Sequence, residues 1–367
     1  MPTDRRGALR NERILASPQF RDGRFWNKSG LMPQIRGKAM AVAGEYFFGG
    51  QQRVPRGAIP ILDPRHTWLR PAETGLRLTW LGHSTVLIEA NGARILTDPV
   101  FGRRASPFRF VGPKRFHAVP VALDALPPLD AVLLSHDHFD HLCRETMTSL
   151  GRMGVPIVTS LGVGRHLEQF GVSPERITEL DWHETASIAG GRATLTATPA
   201  QHFSGRALSD RNHTLWSSWV IAADAHRVFF SGDTGLTEEF RDIGARHGPF
   251  DVVMLEVGAH HAAWSDIHLG PENALRAFEM LGGRALLPVH WGTFNLALHA
   301  WDEPAETLLA RAPEQGVRLL TPRVGGTVEP SRVEAIDPWW REVGLGRLPE
   351  ADGVAARATD ERVPAER

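Results

Sequence analysis

Short apolar runs punctuated by turn residues dominate the middle of the chain, and their period sets the element type. Residues 77–80, 85–89 and 94–97 are β-prone segments separated by Gly-His and Asn-Gly turns, which predicts a β-meander opening near Leu76. Further strands are predicted at 131–135, 157–160, 194–198, 218–222, 228–231, 252–256 and 285–289, and helical spacing at 161–170 and 271–281. Two strand-rich halves alternating with helices predict an α/β protein, an αββα sandwich with helices on the outer faces.

The pattern lapses at both ends. Residues 1–30 are polar with scattered aromatics and predict an arm lying on the domain, without chemistry of its own. Between 33 and 48, Ile35, Ala39, Val42, Ala43, Tyr46 and Phe47 recur at helical spacing, interrupted by Gly37 and Gly44. One amphipathic helix packed on the sandwich is expected there; its polar face, with Arg36, Lys38 and Glu45, carries too little charge to hold a membrane by itself. The expected partition is an arm and helix over 1–75, a catalytic domain over 76–346, and a disordered, charged tail over 347–367.

Composition narrows the function classes. The 41 Lys and Arg balance 42 Asp and Glu, so no global field favours nucleic acid or an anionic surface. The one cysteine, Cys143, excludes an internal disulfide and a multi-cysteine zinc cluster, and fits a reducing compartment. Neither a signal-peptide core nor an apolar stretch of about 18 residues is visible, so the expectation is a cytoplasmic protein with at most peripheral membrane contact, and a homodimer stays open. The 17 histidines favour a nitrogen-and-carboxylate metal site.

That site has a visible nucleus. His136, His138, Asp140 and His141 fall within six residues, directly after an apolar strand. His136 and His138 project to one side of an extended chain, whereas Asp140 and His141 lie past the turn and can address a second ion. Imidazole with carboxylate suits zinc, with iron or manganese as alternatives. Two ions need more ligands, and His202, Asp233 and His290 each follow a later β-prone run.

This succession resembles the metallo-β-lactamase superfamily from about Leu76 to about Gly325. The segments Trp80-Leu81-Gly82-His83-Ser84, Arg104-Ala105-Ser106-Pro107, Gly112-Pro113-Lys114-Arg115-Phe116, Leu180-Asp181-Trp182 and His290-Trp291-Gly292-Thr293-Phe294 resemble its branch of phospholipases D that hydrolyse N-acylphosphatidylethanolamine. The resemblance implies one metal on His136, His138 and His202, another on Asp140, His141 and His290, with Asp233 bridging. It further implies a hydroxide nucleophile between the cations. It also places His268 near the active site, where a histidine can orient substrate or donate a proton. His260 and His261 stand where the lipid-hydrolysing relatives carry a tyrosine and an acid. His83 is expected to support a metal ligand.

Between Phe101 and His117 lie five cations and no acid, interleaved with four phenylalanines. Arg104, Lys114 and Arg115 are therefore candidates to hold a phosphodiester head group, together with His260 as a substrate contact. The leading expectation is a dinuclear phosphodiesterase acting on such lipids. The alternatives are a lactonase, another phosphodiesterase or a β-lactam hydrolase on the same site, and, from another class, a metal-binding regulatory module without turnover.

Overall fold

Alternation of apolar side chains across each strand is what lets two sheets share one core and still anchor helices outside. A computed structural model describes residues 5–32, 42, 44, 45, 48–207 and 209–344. The first sheet contains β3 (Leu76–Gly82), β4 (Thr85–Ala90), β5 (Ala93–Thr97), β6 (Ala131–Leu134), β7 (Ile157–Ser160), β8 (Ile177–Leu180) and β16 (Thr327–Val328), in the order β16-β3-β4-β5-β6-β7-β8. The second contains β9 (Thr185–Ile188), β10 (Ala193–Thr198), β11 (Ser218–Ala223), β12 (His226–Phe230), β13 (Val252–Glu256), β14 (Ala285–Val289) and β15 (Arg318–Leu319), in the order β15-β14-β13-β12-β11-β10-β9. Each sheet is antiparallel on one side and parallel on the other: β5 to β8 pair in parallel, as do β12 to β15.

On the first sheet, Val86, Ile88, Ile95 and Leu133 point into the central core with Leu195, Trp219 and Ile221 of the second. Their neighbours Leu87, Leu96, Val132 and Leu134 face the opposite way, onto Met147 and Leu150 of the helix Arg144–Arg152 and Leu167 of the helix Gly164–Gln169. The second sheet is covered in the same manner by the helices Glu239–His247 and Gly270–Leu281, through Phe240, Ile243, Leu275 and Phe278. This is the αββα sandwich.

The strands at 157–160, 252–256 and 285–289 coincide with those expected, and the remaining expected strands end within two residues of their predicted bounds. The edge strands β8 and β9 lack a sequence signal because each buries only its last residue. The helix expected over 161–170 contracts to Gly164–Gln169, since Gly162 takes a φ of 93° in a preceding turn. Of the helix expected over 33–48, Val42, Gly44, Glu45 and Phe48 are helical, and the other positions lie outside the described residues, as does the tail expected over 347–367.

The N-terminal segment is ordered against the body. Its helix Arg5–Ala16 places the Arg10 guanidinium 2.6 Å from Glu168 and 2.5 Å from Glu179. The hairpin of β1 (Phe20–Arg21) and β2 (Arg24–Phe25) then seats Phe25, fully buried, among Leu161, Trp182, Leu215 and Trp216.

Candidate metal centre

Strand ends deliver the chemistry. His136, His138, Asp140 and His141 follow β6, His202 follows β10, Asp233 follows β12 and His290 follows β14, so both sheets contribute to one site. The two halves meet tightly at Gly232, whose φ is 55° and where an added Cβ would stand 2.6 Å from Ser135 Cβ. Any side chain there would push Asp233 away from His136.

The donor atoms form two groups. In one, His136 Nε2 lies 2.8 Å from His138 Nδ1, and His202 Nε2 lies 3.3 Å from the same nitrogen. Asp233 Oδ2 stands 3.9 Å from His136 Nε2 and 3.8 Å from His202 Nε2. In the other, His290 Nε2 lies 3.2 Å and His141 Nε2 3.5 Å from Asp140 Oδ2. Asp233 Oδ1 reaches this group as well, 3.2 Å from His141 and 3.3 Å from His290. Asp233 thus faces both groups, one oxygen to each, and all seven side chains expected as ligands converge.

The donor set fits metal. Three imidazole nitrogens turned toward one another gain little from each other and much from a shared cation. His141 Nε2 and Asp233 Oδ1 are buried and lack a hydrogen-bond partner among the described residues, a costly arrangement for polar atoms that have no cation to bind. Burial disfavours the charged form of His290, yet Asp233 and Asp140 outweigh it and push its pKa up to about 10. Burial likewise opposes the cationic form of His141, and Asp233, Asp140 and Asp98 together raise its pKa well above the ordinary value. The carboxylates therefore create a demand for positive charge that a divalent ion meets.

The ligands are held from behind. His141 Nδ1 donates to Asp98 Oδ2 at 2.6 Å, and Asp98 also accepts from the Ser135 backbone N–H and hydroxyl at 2.7 and 2.5 Å. His202 Nδ1 donates to the Ile267 carbonyl at 3.0 Å. The arm enters here: Asn27 Oδ1 accepts from His202 N–H at 3.0 Å and its amide donates to the His202 carbonyl at 2.9 Å. The segment expected to carry no chemistry therefore clamps a ligand backbone. His83 Nε2 donates to Asp140 Oδ2 at 3.1 Å, and the His83 carbonyl accepts from His290 N–H at 3.1 Å. His83, Asp98 and His290 all have positive φ, conformations disfavoured for these residues and held by this network.

His268 stands beside the centre. Its Nδ1 is 2.6 Å from Glu256 Oε2 and 3.9 Å from Asp233 Oδ2. Burial opposes its charged form, but Glu256 more than offsets this and raises its pKa. His268 also lines a cavity of about 280 Å³ together with His260, His261, Glu272, Arg276 and Glu303. His260 stacks on His299 with ring centroids 4.6 Å apart, and lies 3.7 Å from Glu303.

The three cations expected at the substrate part company. Arg104 and Lys114 pair across a single antiparallel bridge, with the Arg104 guanidinium on the Gly112 carbonyl. Arg115 is buried, donates to the Val100 and Gly102 carbonyls and stacks 5.0 Å over Phe294, so its side chain braces the loop from within. Sequence reasoning missed Asp98, Glu256 and Asn27. The first two each end an apolar strand, which is the signal that marked Asp233 and His290.

Comparison with known proteins agrees with this geometry. The model of the beta-lactamase superfamily domain matches residues 93–291. An uncharacterized protein of Mycobacterium tuberculosis is 45% identical over 331 residues, covering 89% of this chain and 88% of its own. N-acyl-phosphatidylethanolamine-hydrolyzing phospholipase D 1 of Caenorhabditis elegans is 35% identical over 275 residues, 71% of this chain and 77% of its own. Among solved structures, the metallo hydrolase Igni18 of Ignicoccus hospitalis superposes with a TM-score of 0.54 at 23% identity, over 69% of this chain and 97% of its own. The chain belongs to the metallo-β-lactamase superfamily, as a metal-dependent hydrolase resembling the N-acylphosphatidylethanolamine-hydrolysing phospholipase D branch.

Proposed function

We propose that the protein is a dinuclear phosphodiesterase of phospholipase D type, cutting N-acylphosphatidylethanolamine-like lipids into phosphatidate and the N-acylethanolamine. The observation that carries the reading is the pair of donor groups sharing Asp233, one oxygen to each. Two zinc ions held there, with iron or manganese as alternatives, would supply water of lowered pKa and positive charge for the anionic oxygens on phosphorus. His136, His138 and His202 would hold one and Asp140, His141 and His290 the other. Glu256 fixes His268 Nδ1 and leaves Nε2 to donate a proton to the departing oxygen. The lipid class is supported by the worm relative, whose name carries that activity.

One observation favours a second reading. The cavity beside His268 is walled by His260, His261, Glu272 and Glu303, which suits a hydrophilic alcohol better than a fatty chain. A phosphodiester with a small polar leaving group is the corresponding substrate. The metal-loaded protein, offered N-acylphosphatidylethanolamine and a polar-headed phosphodiester in mixed micelles, is expected to release phosphatidate from the former. Turnover of the polar ester alone replaces the first reading with the second, and full metal loading without turnover of any ester or lactone leaves a metal-binding module.

A further inference from the structure

The loop between β5 and β6 does more than border the site. Its tip exposes Phe108 by 66%, Phe110 by 87% and Val111 by 66%, three large apolar side chains within four positions. Scattered exposed apolar residues are ordinary on a soluble protein, but a contiguous cluster at the end of a projecting loop calls for an occupant. We propose that this tip is an anchor for an anionic lipid bilayer, with Phe108, Phe110 and Val111 entering the interface and Arg103, Arg104 and Lys114 meeting the head groups.

Charge and geometry both select that partner. Arg103, Arg104 and Lys114 flank the apolar tip, and Arg109 at its centre pairs with Glu145 at 3.0 Å. The pattern is an apolar tip within a cationic collar, which matches the acyl and phosphate layers of a membrane surface in order. A protein groove would need the collar matched by acids at fixed positions, a demand that a fluid layer of anionic lipid does not make.

The tip is joined stiffly to the metal centre. Ala105 N–H donates to Pro113 O at 3.1 Å and Arg115 N–H to Arg103 O at 2.9 Å, closing the loop into a hairpin. At its base, Phe116 N–H donates to Thr293 O at 2.8 Å, three residues after His290. The buried Arg115 guanidinium fastens the same base to Val100 and Gly102. Docking the tip would therefore fix where the metal centre stands above the lipid. Among the described residues no helix is long and apolar enough to cross a membrane.

The anchor can be tested without turnover and stands apart from which ester is cut. The full chain, metal-loaded, is sedimented with vesicles of phosphatidylcholine alone and of phosphatidylcholine mixed with phosphatidylglycerol, at low and high salt. Binding is expected to the anionic vesicles, weakening with salt. Phe110→Ser should weaken it about tenfold or more, and Phe108→Ser/Phe110→Ser further, with metal content and melting temperature as in the parent. Arg103→Glu/Lys114→Glu should abolish the preference for anionic lipid. Binding left intact in both double variants, or a variant-sensitive dimer in place of vesicle binding, overturns the proposal.

Discussion

At the scale of the single residue, Asp98 shows how much of the centre lies behind the ligands. Its carboxylate is fully buried and receives His141 Nδ1, the Ser135 N–H and the Ser135 hydroxyl, whose oxygen also lies 2.9 Å from His136 Nδ1. One acid thereby sets the ring orientation of two histidines belonging to different donor groups. Asp98→Asn retains the shape but weakens the acceptor for His141, and outer partners of this kind are worth roughly 10–100-fold in metal affinity. Titration of the variant against a chromophoric chelator should show a loss in that range with the fold retained by circular dichroism. Unchanged affinity would mean that Asp98 serves packing alone. Asp233→Asn is expected to be harsher, since it removes the charge of the carboxylate that faces both groups and turns one of its two oxygens into an amide nitrogen, and metal content should fall together with activity.

Elements explain what could be read in advance. His136 to His141 announce themselves because four ligand types lie adjacent in the chain, and His202, Asp233 and His290 could be read because each ends a β-prone run. Asp98 and Glu256 end such runs too, but a lone acid after a strand has many ordinary uses, and only the fold gives these two a histidine partner: β5 packed on β6 brings His141 to Asp98, and the segment between β13 and the helix Gly270–Leu281 brings His268 back to Glu256. Arg115 was legible as a cation and not as a buried brace, because side-chain direction in an irregular loop follows no period. The arm was illegible for the opposite reason: its grip on the site is one polar side chain. Asn27 satisfies both backbone groups of His202 and accepts from Trp216 Nε1 at 3.0 Å. Asn27→Ala strands the buried His202 N–H and carbonyl, while Trp216 Nε1 keeps the Ala200 carbonyl, at a cost of about 1–3 kcal/mol. Urea unfolding of the metal-loaded variant should show that loss, and a midpoint equal to the parent's would detach the arm from the centre's stability.

On the scale of the whole molecule, the site lies across the joint between the sheets. The run His136–His141 comes from the first sheet, and His202, Asp233 and His290 come from the second, so each donor group mixes residues from both. Within the sandwich the sheets are held together by apolar burial, which is non-directional, and at the strand ends buried polar ligands take the place of apolar side chains. Metal ligation there would add a directional link between the halves, one that exists only in the folded chain. Linkage then fixes the sign: metal bound by the native state alone raises stability by RT ln(1 + [M]/Kd), about 4 kcal/mol at a thousandfold excess over Kd. Stripping the ions with a chelator should lower the melting temperature, and adding free zinc should raise it again in proportion to the logarithm of its concentration. The carboxylates sharpen the expectation, because without a dication Asp140 and Asp233 face each other's charge across His141 and His290, relieved by protons on those rings and by the His83 N–H on Asp140. Hydrogen exchange should locate the loss at 136–141, 202 and 233, ahead of the buried strands. A melting temperature indifferent to chelation, with metal shown to leave, would place the burden of joining the sheets on the apolar core alone.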